Sequence, residues 1–178
     1  RILGAAVRAQ STVTFVRPKI GHVLYPGAGL CGKLIVADIG IPDHAVASTN
    51  PDTFLMDQAA AARILPPRKE NSHKGTYGRS VVLAGSRGMA GAAVLAAEAA
   101  LRIGSGLTHL FVPESIYTIA ARKVPAEVMC EPVPDAKKGV FGGGAAAVKS
   151  ILPFLERASC VLMGPGIGRS HQTILWFA

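Results

Sequence analysis

Two short glycine-rich stretches are the parts of this 178-residue sequence best suited to holding a ligand. The first is Gly85-Ser86-Arg87-Gly88-Met89-Ala90-Gly91, set between a short apolar run and an alanine-rich stretch. Glycine permits positive φ and lets a ligand approach the backbone closely. A strand, a glycine turn and a helix in succession bring backbone N–H groups and the positive end of a helix to one point, where an anion can sit. The spacing G-x-x-G-x-x-G is not the dinucleotide fingerprint, and no Gly-Lys-Ser/Thr follows to make a Walker loop. As a bare pattern it reads equally as a tight strand–helix turn with no ligand. The second stretch, Gly164-Pro165-Gly166-Ile167-Gly168, follows another apolar run. It falls at the carboxyl end of a predicted parallel strand, the edge at which open α/β sheets bind ligands. Two glycine turns at one edge suggest a shared crevice; the alternative is again a tight turn.

Other chemically capable residues are fewer. His73-Lys74-Gly75 and Tyr77-Gly78-Arg79 precede the first of these strands. They read either as cations near a bound phosphate or as a solvated loop. Glu127 is either a site carboxylate or a surface glutamate. His109 and His171 have no partners at metal or triad spacing, and no nucleophile elbow or Ser-His-Asp set is present. Cys31, Cys130 and Cys160 are odd in number and unpaired in spacing, which argues against a disulfide framework and against zinc. Cys160 lies in an apolar run and is expected to be buried. No metal site is expected within the chain.

The net charge of +8 points to an anionic partner. The cations are scattered, with doublets only at Arg68-Lys69, Arg122-Lys123 and Lys137-Lys138. No arginine-rich or basic–aromatic run marks a nucleic-acid surface, so a small nucleotide or dinucleotide suits the glycine loops better. No run approaches about 18 apolar residues, and no secretory signal is visible. A soluble protein of the reducing cytoplasm is expected, without membrane or nucleic-acid partners, and a homo-oligomer is left open.

Hydrophobic residues make up 49% of the sequence and aromatics only 6%. Gly- and Ala-rich cores of this kind pack helices closely on a sheet. Residues 11–16 and 33–41 read as strands, the second stopped by Pro42. Residues 53–64 have near-helical spacing and end at Pro66-Pro67. Residues 80–84, 92–103 and 107–112 read as strand, helix and strand, a βαβ unit that implies a parallel sheet. Glu98 and Arg102 fall one turn apart on the exposed stripe of that helix. A further helix is predicted over 145–155, with Pro153 kinking or ending it, and a buried strand over 158–163. Trp176 and Phe177, at the start of a last helix, need apolar cover.

The ordered set of motifs resembles the NAD(P)H-hydrate repair enzymes. Its members of the dehydratase type run His-Lys-Gly-x-x-Gly, strand, Ala-Gly-Ser, a small loop, Gly-Ala, helix, Gly-x-Gly-Leu, and later Pro-Glu-Val-Met and Gly-Pro-Gly-Leu-Gly. Here these are His73-Lys74-Gly75, Gly78, Ala84-Gly85-Ser86, Gly91-Ala92, Gly104-Ser105-Gly106-Leu107, Glu127-Val128-Met129 and the loop from Gly164. Ala126 replaces the family proline and Ile167 the family leucine. The first block resembles the end of the epimerase domain of bifunctional members, through Thr12-Val13-Thr14-Phe15, Pro18-Lys19, Tyr25-Pro26-Gly27 and Asp38-Ile39-Gly40-Ile41-Pro42.

The resemblance implies an α/β, ribokinase-like three-layer fold, incomplete here and preceded by the last strands of a Rossmann-like epimerase domain. It implies residues 1–42 as the edge of that domain, 43–72 as a linker with a short helix, and 73–178 as the first half of the dehydratase domain. The implied activity is dehydration of hydrated NADH or NADPH with ADP or ATP and Mg2+; K+ belongs to the epimerase domain alone. Ala92, Gly166 and Gly168 are the implied substrate-binding residues. The family's later histidine, its late Gly-x-Gly-Asp and its Lys-Gly nucleotide strap have no match here, nor does the glycine-asparagine loop of the epimerase. The catalytic groups are therefore expected beyond Ala178, and the 178 residues alone are expected to be inactive. Two alternatives stay open: a vitamin-precursor kinase of the same fold, and a piece that binds without catalysing.

Overall fold

The computed structural model describes residues 2–65, 67–136, 139–142 and 144–177. The chain divides into two compact units, Arg1–Pro66 and Pro67–Ala178. Residues 67–72, read from the sequence as linker, thus belong to the second unit.

In the first unit, β1 (Ser11–Phe15) pairs in parallel with β2 (Lys33–Ala37), Ser11 opposite Lys33 and Phe15 opposite Ala37. The connection carries α1 (Ile20–Val23) and a 3-10 turn at Gly27–Leu30. Lys19 holds its start: the ammonium donates to Thr14 Oγ1 and to the carbonyls of Phe15 and Arg17 at 2.7–2.9 Å. β2 stops at Ala37, short of the Ile41 expected. Asp38 Oδ1 instead accepts the Gly40 N–H at 2.9 Å, a local bond that competes with the strand ladder. α2 (Asp43–Ala47) follows, then α3 (Gln58–Ile64). α3 begins five residues later than its apolar spacing predicts because Asp57 caps it, accepting the Ala60 N–H at 2.7 Å.

The second unit contains β3 (Arg79–Leu83), α4 (Ala90–Arg102), β4 (Leu107–Pro113), α5 (Tyr117–Ala121) and β5 (Val128–Val133). A small hairpin of β6 (Asp135–Ala136) and β7 (Val140–Phe141) precedes α6 (Gly144–Leu155), β8 (Cys160–Met163) and α7 (His171–Phe177). The order β5-β4-β3-β8 is parallel throughout. Pro132 is accommodated because β5 ends that order, where a missing ladder donor costs least.

Strand side chains alternate between two faces, and each face of this sheet has its own core. Val82, Leu110 and Val112 pack with Ala93, Ala97 and Ala120 of α4 and α5. Val81, Leu83 and Phe111 pack with Phe141, and with Ala147 and Ile151 of α6. Helices on both faces give three layers. Glu98 and Arg102 of α4 meet at 2.6 Å as their spacing predicts; with Arg102 mostly exposed, the pair contributes little. α6 runs through Pro153 to Leu155, so the proline neither ends the helix nor coincides with its boundary. Trp176 stacks on Phe141 at 5.0 Å between ring centres, which supplies its apolar cover.

The expected buried Cys160 is a correction. β8 pairs only with β3 among the described residues, and all four of its residues are exposed, Met163 to 53%. An apolar run gives a strand, but its burial depends on neighbours that local sequence does not specify. No helix of the described residues is long and apolar enough to cross a membrane.

Candidate functional site

The two glycine loops leave neighbouring parallel strands at the same end of the sheet. β3 and β8 run side by side with Leu83 opposite Met163, so residues 85–91 and 164–168 emerge together at the carboxyl edge. Three hydrogen bonds stitch them. The Gly85 N–H donates to Pro165 O at 2.8 Å and the Gly164 N–H to Leu83 O at 3.2 Å. Buried Ser86 donates its hydroxyl to Gly166 O at 2.7 Å.

The geometry explains why glycine is needed. Gly166 has φ +67°, and a Cβ there would lie 2.7 Å from the Ala92 Cβ and 3.0 Å from Met89 O. Ala92 and Gly166 are therefore in direct register across the two loops, and a larger residue at either forces them apart. Gly85, at φ +84°, would place a Cβ 3.0 Å from both Ala93 and Ile116. Gly168 has φ +79°, and a Cβ there would lie 3.7–3.9 Å from Ser86 Oγ, Val140 and Met89. All three residues implied as substrate-binding thus lie on one surface, at the start of α4.

α4 begins without a side-chain cap: Met89 occupies the N-cap position and makes no side-chain hydrogen bond, and the first turn holds no acidic residue. The orphan donors of that turn point to the carboxyl edge. Beside the start of α4 a cleft of about 780 Å³ is lined by Arg87, Gly88, Gly91, Ser115, Lys123 and Asp135, among others. Loop 85–91 is common to both sites: Ser86 and Met89 meet the second glycine loop, while Arg87, Gly88 and Gly91 line the cleft. The Arg87 N–H donates to Gly139 O at 2.8 Å, tying the loop to the β6–β7 hairpin. Lys137 and Lys138, noted above as a basic doublet, lie outside the described residues.

Several candidates are elsewhere. His73, Lys74 and Arg79 precede or open β3, and so occupy the amino edge of the sheet, opposite the glycine loops. Their segment is a clasp. The N–H groups of Gly106 and Leu107 donate to Tyr77 O and Gly78 O at 3.2 and 3.1 Å. A Cβ on Gly106 would overlap the Lys74 carbonyl. The Arg68 guanidinium stacks over the Tyr77 ring at 4.5 Å and donates to Gly104 O at 3.1 Å. Ser159 Oγ accepts the Arg79 N–H at 3.1 Å. The His-Lys-Gly and Gly-Ser-Gly motifs meet each other, so these cations stand at the amino edge and not beside the glycine loops. Glu127 stands exposed before β5, also at the amino edge.

The shifted titratable groups also lie away from the loops. His109, between Phe111 and Phe154, is held below its usual 6.5 by burial and, secondarily, by Arg79; Glu131 opposes this. Burial, with Glu131 adding to it, pushes the Cys130 thiol up to about 11, which removes it as a nucleophile at neutral pH. Sequence reading missed the cleft, because Ser115, Lys123, Asp135 and Gly139 belong to separate elements and carry no common motif. Their only sequence signal was the Arg122-Lys123 doublet.

The second unit's architecture has a solved counterpart. Hypothetical protein SMU.573 from Streptococcus mutans superposes with a TM-score of 0.56 at 27% identity, over 70% of this chain and 40% of that one. Among curated proteins, the bifunctional NAD(P)H-hydrate repair enzyme Nnr of Moorella thermoacetica is 39% identical over 174 residues, 98% of this chain. That of Coxiella burnetii is 35% identical over 170 residues, 95% of this chain. The chain spans 32% of the length of each. A vitamin-precursor kinase is not favoured by these relatives. Residues 80–178 match the family model of NAD(P)H-hydrate dehydratase, and the chain, with its ribokinase-like α/β second unit, belongs to that family.

Proposed function

We propose that this chain contributes the dinucleotide half-site of an enzyme that dehydrates hydrated NADH or NADPH at the expense of ADP or ATP. The observation that carries the reading is the stitched pair of glycine loops at the carboxyl edge, with Ala92, Gly166 and Gly168 on one surface. The hydrated nicotinamide ring, puckered at its saturated carbons, is placed beside this joined backbone. Ser86 and the left-handed glycines hold that backbone rigid, so the ring's hydroxyl is presented in one orientation. The hydroxyl oxygen attacks the terminal phosphoryl group of the nucleotide and gives up its proton to a base or to water, while the bond from that phosphorus to the bridging oxygen breaks and AMP leaves from ADP, or ADP from ATP. The C–O bond of the resulting phosphate ester then breaks, phosphate leaves with the bonding pair, and loss of a ring proton restores the dihydronicotinamide. Mg2+ in such reactions neutralises charge on the donor's phosphates. We assign the ion to the donor's phosphates.

The epimerase step, with K+, is assigned to the part of the longer relatives that this chain does not cover. A reducing cytoplasm suits the three free thiols. The test is recovery of intact NADH absorbance from hydrated NADH with ADP or ATP, using a protein of the relatives' full length that carries this sequence. Gly166→Val should abolish recovery and substrate binding; unchanged affinity in that variant overturns the placement. The 178-residue chain alone should give no recovery, and turnover near the full-length rate would place the catalytic groups inside it.

A further inference from the structure

The amino edge of the four-stranded sheet holds a smaller cavity, on the face that α6 covers. About 130 Å³ in volume, it is lined by Arg79, Val81, His109, Pro153, Phe154 and Arg157. β3 supplies Arg79 and Val81, β4 supplies His109, and the last turn of α6 and the residues just after it supply the rest. Both arginines are exposed whereas Val81 is buried, which puts the charge at the mouth and apolar surface at the floor. Neither arginine forms an ion pair among the described residues, and no carboxylate lines the cavity. The His109 ring packs edge-on against Phe154 at 4.9 Å between centres. Its Nδ1 is buried and has no hydrogen-bond partner, although buried polar atoms are normally paired. Packing therefore accounts for the ring and leaves its nitrogen and the two guanidinium groups unused.

We propose that this cavity binds a small doubly charged oxyanion, a phosphate or sulfate group, held between Arg79 and Arg157 with the protonated His109 imidazole as a third donor. Guanidinium groups present forked donors that match such oxygens. Two fixed positive charges with no acid in the lining favour a dianion over a single carboxylate. The volume is below the range of about 300–1,000 Å³ that drug-sized ligands occupy, which excludes a nucleotide base and sugar. The site lies at the opposite edge of the sheet from the glycine loops, and the inference does not rest on the dehydratase reading. It has a consequence for His109. Burial and Arg79 hold that imidazole below 6.5, and Glu131, on the same face of β5, opposes them. A bound dianion adds to the pull of Glu131 and raises the His109 pKa. By linkage, the anion binds more tightly as pH falls through the His109 range.

The test follows the His109 ring signals of the purified chain by NMR while sulfate, acetate or chloride is added at constant ionic strength. Sulfate is the main probe because it keeps its double charge over about pH 5–8, where histidine titrates. The chain has five histidines, and His109→Gln assigns the signal. Saturating sulfate should raise the His109 pKa by at least about half a unit. Its affinity, read from the same signals, should fall at least about tenfold in Arg79→Gln/Arg157→Gln. Unchanged melting checks the fold of that variant. Arg157→Gln alone, outside the sheet, should still weaken sulfate severalfold, so the test stands if the double variant does not fold. Phosphoserine competing with sulfate identifies phosphate monoesters as ligands; competition by inorganic phosphate without phosphoserine restricts the site to the free ion. Either supports the site. His109 signals that sulfate does not move, or equal affinity in the arginine variants, overturn it. Acetate binding as tightly as sulfate overturns the dianion.

Discussion

The chain holds two parallel sheets built from similar strands, and only one of them has an interior. In β1 and β2, Val13 and Phe15 are more than half exposed, and Ile35 is 41% exposed. In β3 and β4, Val82 and Leu110 are fully buried. All four strands are rich in β-branched and apolar residues, so strand propensity does not separate them. Covering helices do: α4 and α5 cover one face of β3 and β4 and α6 the other. Among the residues of β1 and β2 only Thr14 is buried. A strand is a local event, whereas a core needs layers, and the free energy resides in the layers.

The sharpest break of this comparison is at residues with no spare volume. Gly106→Ala should destabilise the second unit by about 3 kcal/mol, since the new methyl overlaps the Lys74 carbonyl; denaturant melting measures it. Leu110→Ala should cost a similar amount, about 3 kcal/mol, through the cavity it leaves. Ile35→Ala in β2 should cost less than about 1 kcal/mol. Equal losses for the last two would mean that the first sheet has a hidden core and that the contrast is false.

Next in size is the contrast between glycines. Gly166→Val, with left-handed φ and Ala92 against it, should destabilise by about 2 kcal/mol. Gly91→Ala, helical and facing open space, should stabilise by about 0.5–1 kcal/mol. Thermal melting of the pair separates a glycine kept for packing from one that packing does not require. Amide exchange gives a further reading: the N–H groups of β3 and β4 should be protected by orders of magnitude more than those of β1 and β2.

The smallest effect concerns pH. Burial lowers the folded-state pKa of His109 below 6.5, so the folded chain resists its protonation. The stability associated with neutral His109 is complete above about pH 6.5 and is lost as pH falls through the lower folded value. Wild-type melting temperature should therefore fall more steeply than that of His109→Leu between about pH 7 and 5. Parallel curves would show that the imidazole is effectively solvated.

What was legible from sequence follows the same division between local and distant causes. Ser80-Val81-Val82-Leu83-Ala84, the glycine turn and the alanine helix form a local unit, and the strand–helix–strand reading of it holds within two residues. The short strand β5, with Glu131 and Pro132 inside it, and the two-residue strands β6 and β7 escaped periodicity because they offer too few positions to show a period. The two readings of His73-Lys74-Gly75, cations near a phosphate or a solvated loop, stayed open for another reason. Its cations suggested a phosphate, but its partner, Gly106, lies across the whole of α4. The cleft was invisible for the same cause, since its lining is assembled from four separate stretches.

The bond from Ser86 to Gly166 spans 80 residues, as does the one from Arg79 to Ser159. The β3–α4–β4 unit closes over a much shorter loop and can form early in folding, whereas β8 must wait for the long closure. The glycine pair is therefore expected to assemble after the β3–α4–β4 unit. During synthesis, a ribosome that has released only β3 to β5 carries a sheet with a layer of helices but no second glycine loop. The ligand surface proposed here is complete only once β8 has paired with β3, so its formation is tied to that long closure.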